Sequence, residues 1–487
     1  MNILKMSLPL VNNFSSRREF LFRGGSGLGG IALTAMLAGE SLAGDSANAG
    51  LGGATTFKSS QLPHFLPTAK SVIWCFLDGG ASHIDLFDPK PALNQLAGKP
   101  LPDSFKRPVT AMGRTAFTDL LGCKRTFRQY GQAGTWVSDW YPEIAKCVDD
   151  MAVIRNCTAD GLNHVGSVCQ MNTGSILGGR PCLGSWSIYG LGSENQDLPG
   201  YVVLLDYPEE PPGGKRNWDT GFIPATYQGT QFRSGTTPIL HLNPPRDVSG
   251  QRQRDKLDFI QQLNAAHHRR HPAEDELDAR IAAYELAYRM QSSATEAVDL
   301  STETAETQSL YGLDQKETER NARNCLLARR LVERGVRFVQ LYMGSGGKWD
   351  AHKDIEGNHA KNCRESDKPI AGLLQDLRRR GLLDQTLVVW AGEFGRTPMS
   401  ESGDGRDHNP YGFTIWMAGG GVRGGISNGE TDEIGLYAIN GQSHVHDIHA
   451  TILHCLGLDH FDLTFQHNGR QERATIDAGE VITDVLA

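Results

Sequence analysis

Thr386–Leu387–Val388–Val389–Trp390 runs directly into Ala391–Gly392–Glu393–Phe394–Gly395–Arg396–Thr397–Pro398. The first five residues show no polar–apolar alternation, which reads as a strand covered on both faces, the habit of parallel sheets. An acid that follows such a strand so closely needs a cation or several hydrogen-bond donors, because a lone buried carboxylate is costly. The pattern recurs upstream. Arg337–Phe338–Val339–Gln340–Leu341–Tyr342 precedes a turn containing Gly344, Gly346 and Gly347, and then Trp349–Asp350–Ala351–His352. Downstream, Gly405–Arg406–Asp407–His408–Asn409–Pro410 reads as a turn carrying an imidazole with no packing role. In an open, mostly parallel sheet the carboxyl ends of the strands face one crevice, where ligands bind. Carboxylates and imidazoles gathered there are the usual ligands of a divalent metal. The expectation is therefore a metal-centred site, and a hydrolytic one.

Three more runs read as buried strands: Ser71–Val72–Ile73–Trp74–Cys75–Phe76–Leu77, Asp150–Met151–Ala152–Val153–Ile154–Arg155 and Gly200–Tyr201–Val202–Val203–Leu204–Leu205. Helical stripes alternate with them. Residues 325–334 place Leu326, Leu327, Leu331 and Val332 on one face, stopped by Gly335. Ser366 reads as the cap of a helix carrying Ile370, Leu373, Leu374 and Leu377, and residues 447–456 form another. Repeated αβ units imply an α/β fold: a doubly wound, mostly parallel sheet flanked by helices. Residues 206–320 interrupt the rhythm as an excursion rich in Pro, Gly and Arg, followed by an amphipathic helical insertion. No internal repeat is evident.

With 487 residues and 39% hydrophobic content, the chain can bury one large core or two modest ones. A net charge of −8 with dispersed basic residues gives no nucleic-acid footprint. No run of 18 or more apolar residues occurs, so a membrane span in the mature chain is not expected. The nine cysteines form no CxxC pairs and read as small buried apolar groups. At the N-terminus, Ser16–Arg17–Arg18–Glu19–Phe20–Leu21 precedes a weakly apolar stretch and then Ala47–Asn48–Ala49. Paired arginines before such a stretch are the twin-arginine export address, and the A-x-A pattern is a cleavage site. The competing reading is a disordered basic leader. Residues 1–49 are thus expected to be a leader handled by the twin-arginine export machinery, 50–66 a linker and 67–487 one domain, periplasmic or extracellular. Export of a folded chain agrees with thiols that show no disulfide pattern.

Each candidate residue also has a structural reading. Asp350 and His352 could belong to a solvated loop, and Glu393 could pair with Arg396. His164 and Ser167 sit at a helix start, where backbone amides favour anions, yet Asn163 and Ser167 could simply cap that helix. His446 and His449 share a helix face at i, i+3 spacing with Asp447 between them. They could bind metal or be structural, and His444 reads as structural.

At this point a resemblance enters. Asp447–Ile448–His449–Ala450–Thr451–Ile452–Leu453, with Leu456–Gly457, resembles a segment of the alkaline phosphatase and sulfatase superfamily. Asn172–Thr173–Gly174 is similar to the stretch after the sulfatase nucleophile. His408–Asn409–Pro410 resembles the late metal-binding histidine of cofactor-independent phosphoglycerate mutases. More closely, the mature chain resembles the exported, sulfatase-like family called domain of unknown function 1501. That resemblance rests on Gly79–Gly80–Ala81–Ser82–His83–Ile84–Asp85, Phe87–Asp88–Pro89–Lys90–Pro91, Tyr284–Glu285–Leu286–Ala287–Tyr288–Arg289–Met290, Leu327–Ala328–Arg329–Arg330–Leu331 and Glu393–Phe394–Gly395–Arg396–Thr397–Pro398.

The resemblance implies an alkaline phosphatase-like fold with one or two divalent ions (zinc, manganese or calcium) that hydrolyses phosphate or sulfate esters. By position it implies Asp78 or Asp85 as the first-strand ligand, then Asp350, His352, Glu393 and His408, with Asp407, His446 and His449 as further metal candidates. Two departures stand out. The superfamily's Asp–His–Gly is Glu393–Phe394–Gly395 here, which removes one histidine ligand. The formylglycine motif is absent, with His164 and Ser167 at the matching positions. His164, Ser167 and Thr158 are the nucleophile candidates, and Arg396 is a further catalytic candidate. Two functions remain open: an ester hydrolase acting on an anionic ester or sulfated carbohydrate, or a non-catalytic carbohydrate- or surface-binding relative.

Overall fold

Apolar runs that the chain cannot leave in water become the inner strands. The computed structural model describes residues 62–487 apart from 207, 234, 236, 240, 241, 243–248 and 271–274. The expected export leader and most of the linker lie outside these residues. Nine strands build the main sheet: β1 Ser71–Phe76, β2 Met151–Thr158, β3 Tyr201–Leu205, β4 Thr230–Phe232, β5 Phe338–Tyr342, β6 Thr386–Ala391, β7 Phe413–Ala418, β8 Ile426–Asn428 and β9 Ser443–His444. Their order is β8-β2-β7-β6-β1-β5-β3-β4, with β9 also on β2. Central β1 pairs in parallel with β5 and β6. Only β7 runs antiparallel to its neighbours β2 and β6. The sheet is mixed and mostly parallel, flanked by helices.

Alternation along β1 divides two cores. Ile73 and Cys75 face the helices α2 (Glu319–Glu333) and α3 (Ile355–Arg379), packing with Leu326, Leu331, Leu373 and Leu377. Val72, Trp74 and Phe76 face the other side. There they pack with Val168 and Met171 of α1 (His164–Thr173), and with Ile448, Ile452 and Leu453 of α4 (Val445–Cys455). Burying each such side chain stabilises the fold by about 1.5–3 kcal/mol before chain entropy is counted. In the insertion, helices Gly250–His268 and Asp275–Val298 are tied by Arg254–Glu285 at 2.9 Å, while Met290, Ala294 and Ala297 join the first core. No helix among the described residues is long and apolar enough to cross a membrane.

Two local expectations need correction. Ser366 does not cap α3. The helix starts at Ile355, where the Asp354 side chain accepts from Gly357 N, and Ser366 sits inside it with its hydroxyl bonded to Asn362 O at 2.8 Å. Pro369 lies within the helix and removes the amide that Glu365 O would accept. Asn321 of α2 supplies the replacement, its Nδ2 donating to Glu365 O at 3.0 Å. The second correction concerns residues 405–410, which are not a turn. Gly405–Asn409 pairs antiparallel with Gly395–Glu401 in a hairpin outside the main sheet. All nine cysteines are buried and unpaired, and burial raises every thiol above its ordinary value.

Candidate metal centre

Asp350 reaches the carboxyl edge of β1 because a glycine lets it. After β5 the chain turns through Gly344–Gly347 and settles on Gly79, whose φ of +114° suits only glycine. A Cβ there would lie 2.4 Å from Asp350 N and 2.8 Å from Trp349 C. Trp349 N donates to Asp78 O at 3.0 Å and its buried indole to Met343 O at 2.9 Å, which fixes the approach. At the end of β6, Glu393 accepts from Gly79 N at 3.1 Å. The hairpin places His408 opposite Arg396. Helix α1 opens with His164 as its first residue, capped by Asn163, whose side chain accepts from Gly166 N.

Four side chains from three distant segments meet here. His164, Asp350, His352 and His408 offer donor atoms that all lie within 4.8 Å of one another. Asp350 Oδ2 is 3.2 Å from His164 Nε2, and Asp350 Oδ1 is 3.0 Å from His352 Nε2 and 3.5 Å from His408 Nε2. Each imidazole is held from behind. Nδ1 of His164 donates to Glu393 Oε1 at 2.7 Å, Nδ1 of His352 to Glu401 Oε2 at 2.5 Å, and Nδ1 of His408 to Leu162 O at 2.6 Å. A proton fixed on Nδ1 leaves the Nε2 lone pair of the neutral ring facing the cluster, the arrangement found in metal-binding histidines. Nε2 of His164 and of His408 are buried and form no hydrogen bond, so their nearness to Asp350 is contact without alignment.

The residues suit a divalent ion on two counts. A tetrahedral site with bonds of about 2.0–2.1 Å has ligand atoms roughly 3.3 Å apart; Asp350 Oδ1 stands 3.0 and 3.5 Å from Nε2 of His352 and His408, while Nε2 of His164 lies 3.2 Å from the other oxygen, Oδ2. Composition agrees as well: the carboxyl groups of Asp350, Glu393 and Glu401 gather at the cluster, with the Arg396 guanidinium 2.8 Å from Asp350 Oδ1. Burial opposes charge on His164, but the carboxylates of Asp350 and Glu393 outweigh it and raise its pKa to about 9. Asp350 raises His352, against its burial and with help from Glu401, whereas burial lowers His408. Burial would raise Asp350, yet His164, His352, His408 and Arg396 hold it well below the usual carboxylate range. The cluster opens to solvent through Asp350, His352 and His164, at 27%, 23% and 18% exposure, and is floored by His408 at 4%.

Residues 69–486 match the family described as "Protein of unknown function (DUF1501)". The chain belongs to that family. No curated protein matches it in sequence. Among solved structures it is similar to alkaline phosphatase from the Antarctic bacterium TAB5, at 10% identity over 81% of this chain and 99% of that one, TM-score 0.32. It is also similar to the lipoteichoic acid synthase LtaP from Listeria monocytogenes, at 10% identity over 85% and 76%, TM-score 0.33. A third is the PsFucS1 sulfatase from Pseudoalteromonas sp., at 13% identity over 80% and 68%, TM-score 0.31.

In this DUF1501 member several expected site residues lie outside the cluster. Asp85 is fully buried against Arg406, which donates to it at 2.9 and 3.3 Å. His446 and His449 belong to the other end of α1: their Nε2 atoms contact Gly174 O at 2.7 Å and Met171 O at 2.9 Å. Carbonyls in the last turn of a helix lack amide partners, and these two rings supply donors. Ser167 points into the interior, its hydroxyl buried without a partner, and Asn163 alone caps the helix. Thr158 is buried at the end of β2. Asp78 stands behind the cluster, accepting from Gly347 N at 3.0 Å, and burial plus the nearby Glu393 raises its pKa well above the usual carboxylate range. Glu393 holds the His164 ring, while Asp407 accepts from the amides of Met112 and His408 at 2.9 and 2.8 Å and also offers an oxygen within 4.8 Å of ligand atoms of His352 and Glu401, a second group that could hold an ion. Sequence reasoning missed Glu401 and the Leu162 carbonyl. No spacing marks the first, and a backbone acceptor leaves no sequence signal.

Proposed function

We propose that this chain is a metal-dependent hydrolase of phosphate or sulfate esters, working outside the cytoplasm after twin-arginine export. One observation carries the reading: three imidazoles, each fixed through Nδ1, bring Nε2 atoms to the single carboxylate of Asp350. Three nitrogens and one oxygen favour zinc, with manganese next, over calcium, which takes six to eight oxygens. When bound, such an ion supplies a Lewis acid for the ester oxygen and lowers the pKa of a bound water to about 7.

The chain's own residues do the rest. Arg396 holds Asp350 in place, while Glu393, Glu401 and Leu162 O hold the rings. The N-terminus of α1, which begins at His164, favours an anionic group at the mouth. Nδ1 of His164 is held by Glu393, its Nε2 is given to the ion in this reading, and the Ser167 hydroxyl is enclosed, so the reading assigns the attack to water rather than a side chain. An anionic ester, a phosphate or sulfate, including a sulfated carbohydrate, is the substrate class this reading takes.

The same lack of an accessible side-chain nucleophile supports a second reading, a non-catalytic carbohydrate- or surface-binding protein of this fold. Elemental analysis of the purified protein separates the cases when paired with turnover of aryl phosphates and aryl sulfates. Near-stoichiometric zinc or manganese and turnover abolished by Asp350→Asn or His408→Ala support the enzyme. Bound metal without turnover supports the binder, and no metal even after reconstitution overturns the metal centre.

A further inference from the structure

We propose that the surface bordering the metal centre docks on an anionic lipid surface, with residues 104–118 as its main contact. The inference goes beyond the function proposed above and does not depend on what the centre binds or turns over. Residues 104–118 are irregular apart from one 3-10 turn at Arg114–Phe117, and neighbouring groups pin their backbone. Met112 N donates to Asp407 Oδ2 at 2.9 Å, Tyr411 Oη to Val109 O at 2.9 Å and Tyr437 Oη to Lys106 O at 3.0 Å. Asp407 adjoins His408, so this loop stands beside the cluster. Its apolar side chains nonetheless face water: Val109, Met112 and Phe117 are 68%, 50% and 74% exposed.

A second apolar group borders the cluster at the start of α1. Val165 follows His164, and Ile176 packs over Gly166, where an added Cβ would lie 3.6 Å from the Ile176 Cβ. Val165, Ile176 and Leu177 are all exposed. Exposed apolar residues scattered singly are ordinary; six on two segments beside one site mark an interaction surface. Charge says what covers it. No acid lies between Asp103 and Asp119, whereas Lys106, Arg107 and Arg114 do. None of these three cations forms an ion pair among the described residues. Arg107 Nη1 donates instead to Ala116 O at 2.9 Å, with its guanidinium 5.1 Å from the Phe117 ring. Lys215 and Arg216, likewise without an ion pair among the described residues, stand near the second group, the Arg216 stem 3.4 Å from where a Gly178 Cβ would sit. In a chain of net charge −8, such a gathering of unpaired cations selects an anionic partner. The apolar tips among them select one with an apolar interior. A bilayer with anionic headgroups offers both, taking Phe117 and Val109 into its acyl boundary and the bases among its headgroups. A sulfated polysaccharide offers the charge alone, and a second copy of the chain would set like charges against each other.

The test is sedimentation of the protein, purified as exported, with vesicles of phosphatidylcholine alone or mixed with phosphatidylglycerol as the anionic lipid. Each basic residue near an anionic surface strengthens binding about fivefold, so three should favour the mixed vesicles roughly a hundredfold at low salt, an advantage that high salt removes. A preference below about tenfold would overturn the proposal. Val109→Asp combined with Phe117→Asp should weaken binding to the mixed vesicles at least about tenfold. Phe259→Asp, at a 60% exposed site on the helical insertion, should bind as wild type does. No loss in the double change, or equal loss in both proteins, would overturn the assignment to the loop. Lys106→Gln combined with Arg114→Gln probes the charge separately and should cost about 25-fold; unchanged binding would be equally fatal. Thermal denaturation near wild type checks that each variant is folded. Dextran sulfate bound by the lipid-free protein as tightly as vesicles would overturn the lipid in favour of a polysaccharide. A dimer dispersed by the apolar double change would overturn it in favour of a second copy. Vesicle binding should persist with a chelator present, whatever becomes of the metal-centre reading. Binding lost along with the metal would assign the lipid to the centre and not to the loop.

Discussion

Adding zinc to the metal-free protein should expel protons, and their number follows from the environment of each ring. His164 is raised to about 9 by its carboxylate neighbours, His352 is raised, and His408 is lowered by burial. Near neutral pH His164 carries its second proton, His352 is biased toward one and His408 against one. Binding through Nε2 removes them, so between one and two protons should leave per ion around pH 7. Affinity should fall about tenfold to a hundredfold for each pH unit below that, or roughly 1.4–2.7 kcal/mol. The metal-free fold responds oppositely. A histidine whose folded value exceeds its unfolded value of about 6.5 stabilises fully below that value and loses its contribution as pH rises through the folded value. His164 thus contributes up to roughly 3 kcal/mol at pH 6 that fades towards pH 9. The stability gap between loaded and metal-free protein should widen across that window. Calorimetric titration in buffers of differing ionisation enthalpy counts the protons directly, and thermal denaturation at pH 6 and 9 follows the gap. Release of less than one proton, with affinity flat from pH 6 to 8, would refute the cluster as a metal site.

Three further outcomes follow from geometry. Gly79→Ala forces a Cβ to 2.4 Å from Asp350 N at a φ of +114°; it should cost more than about 2 kcal/mol and weaken zinc binding, read by urea denaturation and metal titration. His408→Ala should abolish tight zinc binding, whereas His449→Ala should keep the stoichiometry and lower stability by about 2–4 kcal/mol, because His449 sits between Met171 O and the Trp74 ring. Asn321→Ala removes the Nδ2 donor to Glu365 O and should cost about 1–3 kcal/mol in urea denaturation, with zinc affinity unchanged.

The inner strands were legible because burial on both faces writes itself as an unbroken apolar run, and β1, β2, β3, β5 and β6 fall within a few residues of the expected ranges. The antiparallel strand β7 went unread, although Phe413–Ala418 is apolar, because strand direction leaves no local mark. Ser366 reads as a cap from its residue type, yet α3 continues through it and tolerates Pro369, because the compensating amide comes from another helix. At the centre, the positions of Asp350, His352 and His408 just beyond buried strands or in a polar segment drew notice. The part His164 plays depends on a meeting with Asp350 and Glu393, which are remote in sequence. His446 and His449 matched a ligand spacing equally well, but a neighbouring helix end engages them. Spacing shows which side chains share a face, and only packing decides what that face meets.

The enclosed thiols have a consequence for how long this protein lasts outside a reducing environment. Oxidants and alkylating agents attack the thiolate, and here that form is both shielded and disfavoured at each of the nine sulfurs. Chemical damage must then wait for the chain to open. Iodoacetamide uptake by the native protein becomes a clock for whole-molecule unfolding, and its rate a measure of shelf life.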